Sequence, residues 1–210
     1  MNIFKLLICC AVFGLVSASF ADEDKDLTSQ DLRKDKTWIA TGQVFGLGPI
    51  PGTVTQGGSF GYFIAPDLII SAEVVSGNSP LILFENTSYR SLKYNSVGIH
   101  AKNFVGRSFY VKGGIDVNRF TEDYVGFTTT NFHGFDSDST SASIVIGNQW
   151  QFSHFTLGCD WVGMTLPLTS NIKSEYASDN FEKASLEDDK TRYLKSSGLQ
   201  LLRFYLGASW

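Results

Sequence analysis

Seven ionisable residues lie in segments where polar and apolar side chains alternate. They are Glu73, His100, Lys102, Lys112, Asp116, Asp160 and Arg203. Because successive side chains of a β-strand point to opposite faces, this spacing places the charges on one face and apolar neighbours on the other. A buried charge without a partner costs several kcal/mol. The pattern predicts a network of paired charges inside a closed sheet, either an exchangeable ion gate or a rigid polar core.

The sequence gives weak support to nucleophilic catalysis and metal binding. Ser153 and His154 form the only adjacent Ser–His pair, within a short predicted turn. His100 lies on a strand face and His133 in a predicted loop, so the three histidines are well separated, and we predict no metal site and no cofactor. Asp136 and Asp138 lack the full spacing of a calcium-binding loop and indicate a solvated acidic turn. Cys159 is expected to be an apolar filler.

The elements that must position the charged residues are short strands. Alternation predicts eight of them, at 38–47, 59–65, 68–76, 92–103, 109–118, 141–152, 155–166 and 199–210. In the fifth, Lys112 and Asp116 share a face opposite Ile115 and Val117. A lysine facing lipid near the bilayer midplane costs roughly 2–4 kcal/mol, so the face with Lys112 must look into a barrel.

The predicted connections alternate in length. Segments 48–58, 77–91, 119–140 and 167–197 are long, whereas 66–67, 104–107 and 153–154 are short. This alternation is typical of outer-membrane barrels, in which short periplasmic turns oppose longer external loops. Aromatic residues gather at the short-turn end and predict a girdle at the periplasmic interface. They are Trp38, Phe104, Phe109, Phe152, Phe155 and Trp210.

The N-terminal residues predict export. Lys5, the apolar run 6–16 and the tripeptide Ser19-Phe20-Ala21 form a secretory leader over residues 1–21, with Sec-type export and cleavage near Ala21. The apolar run is shorter than the roughly 20 residues of a spanning helix, the competing interpretation. Residues 22–36 predict a polar lead-in, disordered or loosely helical, that buries no face; the alternative is a partner-binding arm. Residues 37–210 then form the barrel domain.

The last strand carries an alternating apolar face that ends on the final residue. Its members are Leu202, Phe204, Leu206, Ala208 and Trp210. The ending GLQLLRFYLGASW resembles the C-terminal signal strand of Gram-negative outer-membrane barrels. Together with the leader, the eight strands and the asymmetric loops, it resembles the small eight-stranded family of the OmpA transmembrane domain and OmpX. The resemblance implies an all-β antiparallel up-and-down transmembrane barrel in the bacterial outer membrane, contacts with lipid, and recognition of the last strand by the barrel-assembly machinery.

The resemblance also implies roles in membrane integrity, adhesion and surface recognition through loops. Four aromatic residues are the candidates for recognition of an extracellular partner, or alternatively for packing above the barrel mouth: Tyr124, Phe127, Phe132 and Phe135. The formal charge is −4, or −5 once the leader with its single cation Lys5 is removed, and nothing indicates nucleic acid. We expect a monomeric, non-enzymatic barrel. The alternatives are a narrow pore, a lipid A-modifying enzyme and a soluble lipocalin-like barrel with its apolar faces inward and its charges outward.

Overall fold

In the computed structural model, eight antiparallel strands form a closed ring in chain order. The structure describes residues 28–50, 53–79, 89–125 and 132–210, so the predicted leader and Phe127 lie outside the described residues. The strands are β1 (Trp38–Leu47), β2 (Val54–Ala65), β3 (Leu68–Asn78), β4 (Tyr89–Phe104), β5 (Phe109–Val125), β6 (Phe132–Phe152), β7 (Phe155–Ala177) and β8 (Gly198–Ser209).

The ring closes where the first strand meets the last. Ala40 of β1 pairs with Ala208 of β8. Just beyond them, the amide of Trp38 donates to the carbonyl of Trp210 at 2.9 Å, and the amide of Trp210 donates to the carbonyl of Trp38 at 3.0 Å. Closure leaves neither of these strands with a free edge, which confirms the predicted up-and-down barrel.

The barrel is apolar outside and charged inside. Ile99 is 68% exposed and Val117 60% exposed, whereas Lys112 is 3% and Asp116 8% exposed. A soluble barrel would bury its aliphatic residues and expose its charges, because water solvates charge far better than hydrocarbon does. The observed polarity is that of a barrel surrounded by lipid, and it excludes the lipocalin-like alternative.

Strands β2, β5, β6 and β7 each extend five or more residues beyond their predicted limits. The predicted loop 119–140 is mostly strand, since β5 continues to Val125 and β6 begins at Phe132. Register is continuous through this region, where Tyr124 pairs with His133. The alternation of apolar and polar residues is lost here because this part of the sheet extends beyond the hydrocarbon region, where neither face needs apolar side chains. Loss of alternation therefore marked the end of the lipid contact and not the end of the strands.

The predicted loop 167–197 is also wrong in its first and middle parts. Strand β7 passes through Pro167 and ends at Ala177. Proline has no amide to donate to a ladder. The pairing register with β6 shifts between Thr140 and Ser141, and Ser141 is the partner of Pro167, so the irregularity accommodates the missing donor. The alternation of short and long connections remains in the structure.

Three helical segments in the described part of the chain cover the ends of the barrel. They are α1 (Ser29–Arg33), α2 (Asn180–Lys190) and one turn of π-helix, Thr191–Lys195. Thr28 caps α1 in a capping box with Asp31, and Asp179 caps α2 by accepting from the amide of Glu182 at 2.8 Å. No helix among the described residues is long and apolar enough to cross a membrane.

Aromatic rings surround the short-turn end, as the sequence indicated, with one exception. Trp38 stacks on Phe60 with ring centroids 5.3 Å apart, and Trp210 lies 6.4 Å from Phe60. Phe155 is exposed on the outer surface. Phe104 instead turns into the lumen and is buried, because its strand face points inward at that position. The prediction that Phe104 belongs to the girdle is wrong.

Candidate functional site

Two acids and two bases alternate in the middle of the lumen. Lys112 Nζ lies 3.2 Å from Glu73 Oε2 and 2.9 Å from Asp160 Oδ2. Arg203 closes the ring, since its guanidinium binds Glu73 and its Nε lies 3.7 Å from Asp160 Oδ2. Strands β3, β5, β7 and β8 each supply one member. Each carboxylate therefore has two cations and each cation two carboxylates, which compensates for their loss of water.

His100, Asp116 and Ser143 form a second group next to this ring. His100 Nε2 lies 3.2 Å from Asp116 Oδ1, and the Ser143 hydroxyl donates to Asp116 Oδ2 at 2.8 Å. Ser143 Oγ is also 3.3 Å from His100 Nε2. These are the residue types of a hydrolase triad. Here, however, the serine and the carboxylate both contact the same ring nitrogen, Nε2, which a nucleophilic serine would need as its base. The other ring nitrogen of His100, Nδ1, has no hydrogen-bond partner among the described residues and lies 3.9 Å from Glu73 Oε2.

Lys102 is held differently from the other lumen cations. Its Nζ lies 4.5 Å from the centroid of the Tyr110 ring and 4.7 Å from that of Tyr205. It donates to Gln149 Oε1 at 2.9 Å and to the Tyr205 hydroxyl at 3.2 Å. Within the described residues no ion pair includes Lys102, so aromatic faces and neutral acceptors stabilise this charge. The structure thus brings six of the seven predicted residues within 4 Å of a group of the opposite type, acid to base, and Lys102 is the exception.

Apolar layers lie above and below the charges, and sequence reasoning missed them. At the short-turn end the layer consists of Ile39, Phe63, Ile69, Phe104 and Tyr110. At the long-loop end it consists of Ile50, Val75, Leu92, Tyr94, Phe120, Phe135, Leu186 and Leu194. Ile69 and Val75 lie on the same face of β3 as Ser71 and Glu73. The alternation of side chains along the strand therefore predicts that they point inward. The lumen is filled in three layers.

Arg33 of α1 covers the short-turn end. Its Nε donates to the carbonyl of Pro66 at 2.9 Å and its Nη1 to the carbonyl of Arg107 at 2.9 Å. Its guanidinium carbon lies 3.8 Å from the centroid of the Phe104 ring. Burial lowers the pKa of Arg33 to about 10, so the group stays charged at neutral pH. The predicted polar lead-in therefore does bury a side chain, contrary to expectation.

Among the described residues, the cavities beside the charge network are small. Two cavities of about 20 Å³ each lie against the charge network, one beside Lys102 and the other beside His100. A cavity of this volume holds about one water molecule. The small volume agrees with the expectation that eight strands enclose an interior that side chains can fill.

The predicted loop aromatics separate into different environments. Phe135 is 1% exposed and lies 5.5 Å from the Phe120 ring, so it packs in the outer apolar layer and is not available for surface recognition. Tyr124 stacks on His133 with ring centroids 4.7 Å apart. Phe132 is 39% exposed at the outer end of β6. Of the three described residues, only Phe132 offers a substantially exposed ring.

The other residues considered for chemistry are dispersed. Asp136 accepts from Thr121 Oγ1 at 2.5 Å and Asp138 pairs with Lys173, so both lie in a strand and not in an acidic turn. Ser153 Oγ and His154 Nδ1 are 3.0 Å apart in an exposed turn at the short-turn end. Cys159 is buried.

The C-terminal strand has the predicted orientation. Leu202, Leu206 and Trp210 are exposed on the lipid face, whereas Arg203 and Tyr205 face the lumen. Leu202 has a φ of 50°, beside a register irregularity between β1 and β8. Positive φ is unusual for a large side chain. Leu202 and Arg203 keep the regular alternation of β8, whereas the irregularity reverses the faces of the residues before them, so that Gln200 is buried and Leu199 is exposed.

The closed ring, the apolar exterior and the filled polar lumen define the class: a small transmembrane β-barrel of the outer-membrane type. No protein-family model matches the sequence, and no curated protein matches it. The fold is similar to that of a major outer membrane protein from Thermus thermophilus, with a TM-score of 0.55 and 13% identity over 83% of this chain and 98% of that chain. The resemblance to small OmpA-like barrels is thereby confirmed at the level of fold.

Two further solved structures show weaker similarity. The N-terminal β-barrel domain of Pseudomonas aeruginosa OprF gives a TM-score of 0.46 with 12% identity, covering 83% of this chain and 98% of that chain. Ail, the attachment invasion locus protein of Yersinia pestis, gives a TM-score of 0.47 with 11% identity, covering 83% of this chain and 97% of that chain.

Proposed function

We propose that this protein is a non-conducting, non-enzymatic barrel of the bacterial outer membrane, with a structural or surface-interaction role at its long-loop end. The filled lumen carries the proposal. Paired charges occupy its centre, apolar layers pack above and below them, and the two cavities beside the charges have room for about one water each. With the interior occupied, the surface that remains for a partner is the outer rim.

The orientation follows from the termini and the loops. A secretory leader would deliver the chain to the periplasm, and the short turns would stay there while the long connections cross the bilayer. The apolar face of β8, with Leu206 and Trp210 exposed, would serve as the recognition element for the barrel-assembly machinery. The rim carrying α2 would then face the outside of the cell.

Single-channel recording of the refolded protein in a planar bilayer tests closure. We expect no steady conductance from the wild type. The double variant Glu73→Ala/Arg203→Ala deletes two paired side chains from the centre of the lumen and is expected to give measurable openings, which shows that the assay can detect them. Steady wild-type conductance would overturn the proposal in favour of a pore.

Mass spectrometry of lipid A from cells with and without the protein tests the absence of catalysis. We expect identical spectra, because Ser143 donates to Asp116 and not to His100, and Ser153–His154 lies at the end facing away from the outer leaflet. A mass change that depends on expression would establish the enzyme alternative.

Binding of displaying cells to surfaces or other cells tests the role of the rim. Phe181 at the start of α2 is 74% exposed, and Tyr176 and Phe132 are exposed nearby in the fold. We expect Phe181→Ser to reduce binding while the folded barrel keeps its heat-modifiable migration. Phe155→Ser, the same change on an exposed ring at the opposite end, is the matched control. Equal binding by Phe181→Ser and the wild type would exclude this ring from the role.

A further inference from the structure

A cluster of charged residues is buried above the part of the barrel that crosses the membrane. A spanning strand needs about 9–11 residues, and β5 begins at Phe109, so Glu122 lies beyond the hydrocarbon. Glu122 and His133 come from neighbouring strands, and Glu182 and Asp189 from α2. Their exposed fractions are 0%, 1%, 3% and 5%. Four ionisable side chains are therefore almost completely removed from solvent.

His133 lies between two carboxylates of α2. Its Nδ1 is 2.6 Å from Glu182 Oε2 and its Nε2 is 3.0 Å from Asp189 Oδ2. When Glu182 accepts the Nδ1 proton, neutral histidine presents the bare lone pair of Nε2 toward Asp189. Two lone pairs facing each other at that distance repel unless a proton or a metal ion lies between them. A histidine that binds a metal usually donates its other ring N–H to a carboxylate, which fixes the orientation of the ring.

Arg90 supplies only part of the compensating charge. Its Nη2 and Nη1 donate to Asp189 Oδ2 at 2.9 Å and Oδ1 at 3.3 Å, and Nη1 also donates to the Tyr193 hydroxyl at 2.9 Å. Its Nε lies 3.3 Å from Glu122 Oε1. The cluster thus sets three carboxylates, with Glu182 as the third, against one guanidinium. When all three are ionised and His133 is neutral, two net negative charges remain, and one divalent cation would neutralise them.

Glu122 is the group least satisfied by its surroundings. Neither of its carboxylate oxygens has a hydrogen-bond partner among the described residues, although Arg90 lies close to one of them. A fully buried carboxylate without hydrogen bonds is rare in folded proteins and calls for a specific explanation. A bound ion would provide one.

We propose that Glu122, His133 and Asp189 bind one divalent transition-metal ion, with Zn²⁺ as the best match, and that Glu182 positions His133. One donor atom from each ligand lies within 4.8 Å of the others. Tetrahedral zinc with bonds of about 2.0–2.1 Å holds its ligands roughly 3.4 Å apart, so movements of about 1 Å would bring the three ligands to bonding distance and leave the fourth position for water. One imidazole with two carboxylates suits zinc, whereas calcium requires six to eight oxygens.

The site would fasten α2 to β5 and β6 and so hold the cover over the long-loop end. It does not depend on the surface role proposed above, because a metal clamp can stabilise the rim whether or not a partner binds there. It replaces the sequence-based expectation of no metal. The ligands lie on three elements that only the fold brings together, and all three positions fall within the predicted loops 119–140 and 167–197.

Calorimetric titration of the refolded protein in detergent with Zn²⁺, after removal of metal by a chelator, tests the proposal. We expect one ion per chain. Glu122→Gln and His133→Gln should each weaken binding by at least about 100-fold, and Glu182→Gln by about 10–100-fold through loss of orientation. His154→Gln, which removes an exposed histidine at the other end, should bind as the wild type does.

A spectroscopic measurement separates a built site from adventitious surface binding. Co²⁺ in place of Zn²⁺ should give visible absorption bands of tetrahedral geometry in the wild type and in His154→Gln, but not in His133→Gln. Heat-modifiable migration verifies that each variant is folded, and Glu122→Gln removes an unsatisfied charge and should fold well. The proposal is overturned if the wild type binds no ion, if Ca²⁺ binds as tightly as Zn²⁺, or if Glu122→Gln and His133→Gln bind unchanged.

Discussion

The substitution Lys112→Met tests whether the lumen charges act as a coupled ring. Lys112 touches Glu73 at 3.2 Å and Asp160 at 2.9 Å, and its side chain is 4% exposed. Methionine keeps most of the volume but leaves two carboxylates to share Arg203. Removing one partner of a buried ion pair costs about 3–5 kcal/mol, so we expect the free energy of unfolding to fall by about 3 kcal/mol.

A double-mutant cycle isolates the interaction with Asp160. Asp160→Asn alone leaves Lys112 and Arg203 to share Glu73 and should also cost about 3 kcal/mol. In the double variant the Glu73–Arg203 pair remains and no unpaired charge is created, so the total cost should stay at about 3 kcal/mol. The coupling free energy is then about 3 kcal/mol, at the upper end for contacting residues.

Urea unfolding of the barrel in lipid vesicles, followed by tryptophan fluorescence, measures these changes. Lys173→Met and Asp138→Asn form the control cycle, since this pair is substantially exposed and its coupling should be below about 1 kcal/mol. Additive costs for Lys112→Met and Asp160→Asn would refute the reasoning, because they would mean that water or other groups already satisfy each charge separately.

Three further substitutions test other parts of the fold. Gly114→Ala should destabilise the barrel by about 1–3 kcal/mol, because the added Cβ would overlap the His100 ring and lie 2.5 Å from the carbonyl of Ile99, whereas Gly113→Ala on the lipid face meets nothing closer than 3.6 Å and should be tolerated. Arg33→Ala should cost about 2 kcal/mol and increase protease cleavage at the N-terminal end, with partial rescue by Arg33→Lys; unchanged protection would show that α1 is not held by this side chain. Ile115→Lys should cost roughly 2–4 kcal/mol in vesicle unfolding, and an unchanged midpoint would contradict its contact with lipid.

The sequence predicts the barrel wall well where lipid constrains it. In β5, Lys112 and Asp116 alternate with Ile115 and Val117, and hydrocarbon on one side enforces that alternation. Strand count, closure and the inward direction of the charged residues follow from this constraint. Which charges pair does not follow, because the stagger between strands decides whether Lys112 meets Glu73 or another acid.

Beyond the hydrocarbon the same reasoning fails for a physical reason. The sequence around Asp136 and Asp138 predicted a polar turn, because neither face of β6 needs to be apolar at that distance from the membrane. The cluster around His133 was invisible for a related reason, since Glu182 and Asp189 are brought to it by a helix that covers the rim. The signal available in advance was the polar segment 180–190, with a capping aspartate before it and a lysine at its end.

The unequal strand lengths make the rim of the barrel slanted. Strand β1 has 10 residues and β7 has 23. At about 3.3 Å per residue and a tilt near 40°, the described wall at β7 stands roughly 30 Å higher than at β1. Helix α2 contacts β6 and β7, on the high side. Within the described residues, a large molecule tethered to the surrounding lipid would therefore meet a taller wall on the β7 side than on the β1 side.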